Sequence, residues 1–229
     1  MKVKVISDTH NLHEKLKIGS CDVLIHCGDF GTRGNYTEAE SFMYWFVKQN
    51  AKYKIFIAGN HDKRMKSYDK LKQLAKDLGL IYLEQEAVTI EGYKFYGHNF
   101  VPRVNKLGTF LMEDGEREQQ WSAIHEHDDI DILITHSPAF NRLSKNSNDI
   151  NIGCYYLLEA IKALEIPYHL CGHVHEYGGQ IDCTFHNEGK STLHINAACL
   201  DRQYNLVRGY QEFDLEDRIV YDMFTRRRI

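Results

Sequence analysis

A chain of 229 residues that is 43% hydrophobic and 26% charged, with only 3 prolines, has the material for a packed core, which excludes a disordered chain. The net charge of −4 argues against a protein that holds long nucleic acid by backbone electrostatics. No apolar run approaches a membrane span, the N-terminus MKVKVISDTH has no apolar leader region, and the six cysteines form no C-x-x-C pair; the expectation is a cytoplasmic protein with free thiols.

In chain order, KVKVIS predicts a buried strand that ends in Asp8-Thr9-His10. Asp8 and His10 stand at i and i+2, so on extended chain both side chains face one side and could grip one object. CDVLIHCG predicts a second strand, ending in Gly28-Asp29. TEAESFMYWFVKQN then reads as a helix with a Thr37–Glu40 capping box and a buried face that takes Phe42 and the aromatics Tyr44 to Phe46. YKIFIAG is a third strand, ending in Gly59-Asn60-His61-Asp62, and YDKLKQLAKDLG a second helix with Gly79 at its C-cap. VTIEGYKFYG predicts a hairpin that brings His98 near the sheet edge. IDILITH is a fourth strand, ending at His136; GCYYLLEAIKAL is a third helix; PYHLCGH is a fifth strand, ending in Gly172-His173-Val174-His175. YQEFDLEDRIVYDMF closes the chain as a hairpin. With no repeat and no Pro/Ser-rich linker, residues 1–229 read as one α/β domain: a central, partly parallel sheet with helices outside.

Open α/β sheets bind ligands beyond the carboxyl ends of their strands. Here five runs deliver Asp8, His10, Asp29, Asn60, His136, His173 and His175 to that edge. Oxygen and imidazole donors without thiolate suit Mn²⁺, Fe²⁺ or Zn²⁺. Seven groups exceed what one ion takes and suit two ions that share a carboxylate. Two ions about 3.5–4 Å apart can generate a hydroxide near neutral pH and clamp an in-line phosphoryl displacement. His61, next to Asn60, could protonate the leaving oxygen. Gly28, Gly59 and Gly172 would let the backbone turn tightly as it presents the ligands.

The blocks D-x-H, G-D, G-N-H-D, H and G-H-x-H, in this order, resemble the calcineurin-like metallophosphoesterase superfamily. DVLIHCGDFGTRG, KIFIAGNHD, DILITHSPA, GHVHEYGG and INAACLD are most similar to its small single-domain MPPED-type phosphodiesterases, and the resemblance spans essentially the whole chain. It implies a four-layer αββα sandwich. It also implies that Asp8, His10 and His175 hold a first metal, that Asp29 bridges, that Asn60, His136 and His173 hold a second, and that His61 sits over the leaving group. In the Ser/Thr phosphatase branch this second block reads G-D-x-x-D-R-G, and its later Asp orients the catalytic His. GDFGTRG has Thr32 at that place, while Arg33 matches the Arg that touches phosphate. The difference weakens a phosphoprotein-phosphatase reading and leaves open what orients His61, since Asp62, a chain neighbour, should diverge from it. Some mammalian members carry Gly at the first His of G-H-x-H; His173 is present here.

The expectation is a dinuclear-metal phosphodiesterase, with Mn²⁺ the first choice, acting on a small nucleotide-type substrate. A nuclease or a phosphomonoesterase using the same centre is the alternative, and a non-catalytic scaffold fits an intact ligand set less well. A nucleic-acid partner is not favoured, no membrane is involved, and no oligomeric state is legible. Arg33 and His98 are the substrate-contact candidates. The loops FGTRGNY, HNFVPRVNKLG and PAFNRLSKNSNDINIG add Asn35, Arg103, Asn141 and Arg142, the last loop as a mobile lid. Histidines 13, 26, 125, 127, 169, 186 and 194 are assigned no role.

Overall fold

The computed structural model describes residues 1–102, 108–127, 129–216 and 219–221. The chain runs through β1 (Lys2–Ile6), β2 (Cys21–His26), α1 (Tyr36–Val47), β3 (Ala51–Phe56), α2 (Lys63–Ser67), α3 (Asp69–Asp77), β4 (Ile81–Tyr82), β5 (Glu86–Ile90) and β6 (Tyr93–His98). Next come the short pair β7 (Val101–Pro102) and β8 (Leu111–Met112), then α4 (Asp114–Ala123), β9 (Ile132–Thr135), α5 (Tyr155–Ala163) and β10 (Tyr168–Cys171). The last strands are β11 (Ile181–Phe185), β12 (Ser191–Asn196), β13 (Gln211–Asp214) and β14 (Ile219–Tyr221).

Two six-stranded mixed sheets result, ordered β14-β13-β1-β2-β3-β4 and β11-β12-β10-β9-β6-β5. All five apolar runs are strands, and within each sheet they pair in parallel, β1–β2–β3 and β9–β10. Parallel strands buried on both faces favour apolar side chains at most positions, which explains the runs; Lys4 on β1 is a buried exception whose Nζ donates to Ile18 O. Alternate residues Val3, Val5, Val23, Ile25 and Ile55 meet Phe95, Ile132, Ile134, Leu170 and Ile195 between the sheets. The intervening residues pack outward. Ile6, Leu24 and Phe56 face Phe42, Met43 and Phe46 of α1. On the other side Tyr96 and Leu133 face Trp121, Leu157 and Ile161 from α4 and α5. Helices, two sheets and helices again make the αββα sandwich. Truncating a fully buried ring such as Phe42 costs about 3–5 kcal/mol.

Local chemistry sets the turns. Glu91 and Gly92, at φ of 50° and 90°, form the tight two-residue turn of the β5–β6 hairpin. Gly79, at φ 69°, closes α3, with Leu80 N–H donating to Ala75 O at 2.9 Å. Two local expectations change. The capping box of α1 is Asn35–Glu38, not Thr37–Glu40: the Asn35 side chain accepts Glu38 N–H at 2.9 Å. Both pairs fit the spacing, but Glu38 also gathers the N–H groups of Arg33 and Gly34, at 2.9 and 2.8 Å, which Glu40 is too far along the helix to reach. Tyr44 is 44% exposed, because at 100° per residue it falls off the stripe that buries Phe42, Met43 and Phe46.

Candidate metal centre

The two sheets are joined at one edge of the sandwich. Ser7 and Ala198 form an isolated parallel bridge, and Cys199 N–H donates to Ser7 O at 2.9 Å. The chain leaving β12 is therefore laid beside the chain leaving β1, so loops from both sheets converge. Asp8, His10 and His175 bring one ligand atom each to within 4.8 Å of one another, and Asp29, His136 and His173 do the same. Each trio mixes residues from both sheets. Asn60 joins the second, its Oδ1 3.1 Å from His136 Nε2. Asp29 lies between the trios: Oδ2 is 3.2 Å from His136 Nε2 and 3.8 Å from His10 Nε2.

Three of these imidazoles are oriented by main-chain carbonyls. Nδ1 of His10 lies 2.9 Å from Gly31 O, that of His136 2.9 Å from Cys27 O, and that of His175 2.9 Å from Asp201 O. A carbonyl only accepts, so each Nδ1 carries the hydrogen and each Nε2 keeps its lone pair when the ring is neutral. This is the arrangement by which a second contact turns a histidine toward a cation.

The donor set fits divalent cations on three further observations. Asp8 Oδ1 is buried and has no hydrogen-bond partner among the described residues, a costly state unless something else binds it. A Cβ at Gly172 would stand 2.1 Å from Asp8 Oδ2, and one at Gly59 2.2 Å from Asp29 Oδ1. These two glycines supply room for the carboxylates; of the three expected to ease a turn, only Gly28 has a positive φ, 94°. His175 Nε2 approaches Asp8 Oδ1 to 3.3 Å without aligning as a hydrogen bond. Finally, Asp8, His10, Asp29 and His173 themselves adopt left-handed φ values of 52°, 39°, 56° and 66°. Such strain costs about 1–3 kcal/mol per residue and gathers at functional sites.

Charge is balanced within the cluster. Burial alone would raise the Asp8 carboxyl, but the close approach of His175 and the nearby His136 and His10 hold it below the usual carboxylate range. Asp29 is held low in the same way, mainly by His136. Burial opposes charging of the partners too, yet Asp29 lifts His136 to about 10 and Asp8 lifts His175 to about 9. The two carboxylates therefore favour the protonated form of both imidazoles.

Residues 1–177 match the calcineurin-like phosphoesterase family. The chain belongs to that family. It is 33% identical over 214 residues to UPF0046 protein K07C11.7 of Caenorhabditis elegans, covering 86% of this chain and 69% of that one. With human metallophosphoesterase domain-containing protein 1 the identity is 29% over 229 residues, covering 88% of this chain and 67% of that one. The crystal structure of TT1561 of Thermus thermophilus has the same fold, with a TM-score of 0.66 at 12% identity over 96% of both chains. The chain is accordingly a hydrolase of phosphoesters, of a family that works with divalent metal ions.

The other expected residues of the phosphoesterase fall in different places. His61 is half-buried beside the cluster, its ring 4.9 Å from that of His10. Its Nδ1 lies 2.9 Å from Thr32 O, which supplies the orienting partner that the sequence left open. Asp62 does diverge from it, accepting the N–H groups of Asp29, Gly31 and Gly59 at 2.7, 3.0 and 2.8 Å. Arg33 is exposed on the same loop as Thr32, and its guanidinium has no ion-pair partner among the described residues.

His98 is not brought to the cluster. On β6 it shares the outward face with Tyr96, fully buried and stacked on Trp121 of α4 at 4.1 Å. Strand alternation decides this, since the same chain end could have offered either face. Asn35 is engaged as the helix cap, and Asn141 is bonded to Asn151. Arg142 binds Thr184 Oγ1 at 2.8 Å and Asp182 Oδ2 at 3.4 Å on β11. Arg103 lies outside the described residues. The expected lid folds back on itself: Asn146 N–H donates to Ile150 O and Ile152 N–H to Ser144 O, both at 2.9 Å.

Histidines given no role turn out to support the ligand loops from behind. His26 Nδ1 accepts Gly28 N–H at 3.2 Å, so its Nε2–H donates to Thr9 Oγ1 at 3.0 Å, tying together the loops of Asp8, His10 and Asp29. Behind His136 a chain of polar groups has one consistent direction. Arg142 donates to Thr184, Thr184 to His194, His194 to His169 and His169 to Thr135, each step 2.8–2.9 Å, and Thr135 donates to Ser137 O at 2.6 Å. No periodicity marks such residues, because a buried histidine and its hydroxyl partner are distant in sequence.

Proposed function

We propose that the chain is a phosphodiesterase that uses two divalent cations, Mn²⁺ foremost, on a small nucleotide-type substrate. The position of Asp29 carries the reading: one carboxylate oxygen reaches a histidine of each trio. Asp8, His10 and His175 would hold one cation and Asn60, His136 and His173 the other, with Asp29 shared. Two cations so held would supply a nucleophile near neutral pH and neutralise charge on the phosphoryl oxygens.

The chain's own residues do the rest. With Nδ1–H committed to Thr32 O, His61 has Nε2 left to pass a proton to the departing oxygen. Arg33, on the adjoining loop and without an ion-pair partner among the described residues, offers a planar fork to a phosphoryl oxygen. His98 has no part in this reading. Among the described residues no helix is long and apolar enough to cross a membrane. The buried thiols of Cys27, Cys154, Cys171 and Cys199 support a cytoplasmic setting.

The test uses metal-stripped protein reloaded with Mn²⁺ and compares bis(4-nitrophenyl) phosphate with 4-nitrophenyl phosphate, with Asp29→Asn as the control. Mn²⁺-dependent diester turnover that vanishes in the variant is expected. Monoester preference would make the chain a phosphomonoesterase, and turnover of neither would remove the small-diester reading.

A further inference from the structure

Tyr204 is left unused by the chemistry above, yet it touches the cluster. Its ring centroid is 4.9 Å from that of His10 and 5.2 Å from that of His175, at interplanar angles of 61° and 67°. His10 is thus bordered by three rings, His61 and Tyr204 each at 4.9 Å and His175 at 5.5 Å.

Three features separate Tyr204 from ordinary packing. It is 48% exposed, although the histidines it touches are buried. Its hydroxyl has no hydrogen-bond partner among the described residues, so the polar end of the ring does not explain its place. Its φ is 61°, a strained value for a bulky side chain.

The strain is held by Asp201. The Asp201 carbonyl accepts Tyr204 N–H at 3.0 Å, and its Oδ1 accepts Gln203 N–H and Asn205 N–H, both at 2.9 Å. The same carbonyl orients His175 through Nδ1 at 2.9 Å. One residue therefore fixes both a histidine of the first trio and the aromatic ring beside it. A rigid, half-exposed aromatic next to an anion-binding cluster is what a flat substrate group stacks on.

We infer that Tyr204 is a substrate-binding residue that takes the aromatic substituent of the phosphoester, an aryl group or nucleobase, while the phosphoryl group is held at the two trios. The inference rests on the phosphoesterase reading and gives it a substrate class: esters whose alcohol part carries a flat ring, rather than simple alkyl esters or sugar esters without a base.

The test is equilibrium binding to the Mn²⁺-loaded protein, by titration calorimetry, of phenylphosphonate and methylphosphonate, which share the anion and differ only in the ring. Wild type should prefer phenylphosphonate by about tenfold. Tyr204→Phe should keep that preference. Tyr204→Asn, which suits the left-handed backbone but has no ring, should abolish it while methylphosphonate and Mn²⁺ affinities stay within about twofold. A preference that survives in Tyr204→Asn would overturn the inference. So would equal weakening of both phosphonates together with Mn²⁺, which would mean that the ring only packs His10 and His175. Failure of both phosphonates to bind loaded wild type would remove the reading of a small nucleotide-type substrate, and the inference with it.

Discussion

His61 Nδ1 and the main-chain carbonyl of Thr32 stand 2.9 Å apart, so a peptide group holds the ring where the phosphatase branch uses a carboxylate. The loop that carries this carbonyl is itself held by Glu38, which accepts from Arg33 N–H, Gly34 N–H and Asn11 Nδ2. Thr32→Ala keeps the carbonyl and should change kcat by no more than about threefold, the worth of one exposed hydrogen bond. Glu38→Ala should cost about 10–100-fold through misplacement of His61. His61→Asn should cost about 10²–10⁴-fold. Mn²⁺ affinity should be unchanged in all three. Steady-state kinetics beside metal titration checks this, and a Thr32→Ala loss as large as that of His61→Asn would show that the hydroxyl, not the carbonyl, matters.

Gly172→Ala and Gly59→Ala should abolish or greatly weaken cation binding without altering any ligand. The added methyl would need to occupy space 2.1 Å from Asp8 Oδ2 or 2.2 Å from Asp29 Oδ1, and the carboxylate must move. Gly209→Ala, where nothing lies within 4 Å of the added carbon and φ, as at Gly172 and Gly59, is not in the left-handed region, controls for loss of a glycine. Mn²⁺ binding followed by electron paramagnetic resonance should separate the two classes.

Cation loading should release protons. With His136 raised to about 10 and His175 to about 9, both rings are protonated at pH 7.5 in the cation-free protein, and a cation must displace about two protons. Apparent affinity should therefore rise with pH and level off above about 10. Titration calorimetry in buffers of different ionisation enthalpy measures the proton count directly; a count near zero would mean that these rings are neutral beforehand.

Acid should destabilise the cation-free protein well before ordinary carboxylates titrate. Burial lowers His26, His98 and His194 to about 3, from an ordinary value of 6.5. Between those limits the unfolded chain binds protons that the folded chain refuses, so stability falls as pH falls through 6.5 and the loss is complete near 3. Each such histidine contributes up to about 1.4 kcal/mol per pH unit. Urea midpoints in the presence of a chelator should drop steadily from pH 7 to pH 4.5, and His26→Gln should make the slope shallower. A flat profile would show that these rings accept protons in the fold.

The sequence by itself determined what each element offers. Apolar runs encode strands buried on both faces, and their ends encode donor chemistry, because side-chain type and a period of two are local properties. Asp8, His10, Asn60 and His136 were legible on those grounds. Tertiary structure decided which donors meet. His173 N–H bonds Asp8 Oδ2 across 165 residues, and each trio closes only when one sheet packs on the other. The loop after β12 also seats Tyr204 beside His10, while the pairing of β2 with β3 brings Thr32 O to His61 and strand alternation turns His98 outward. A main-chain carbonyl has no letter in the sequence, and a contact between two sheets has no period, so neither could be read before the core had formed.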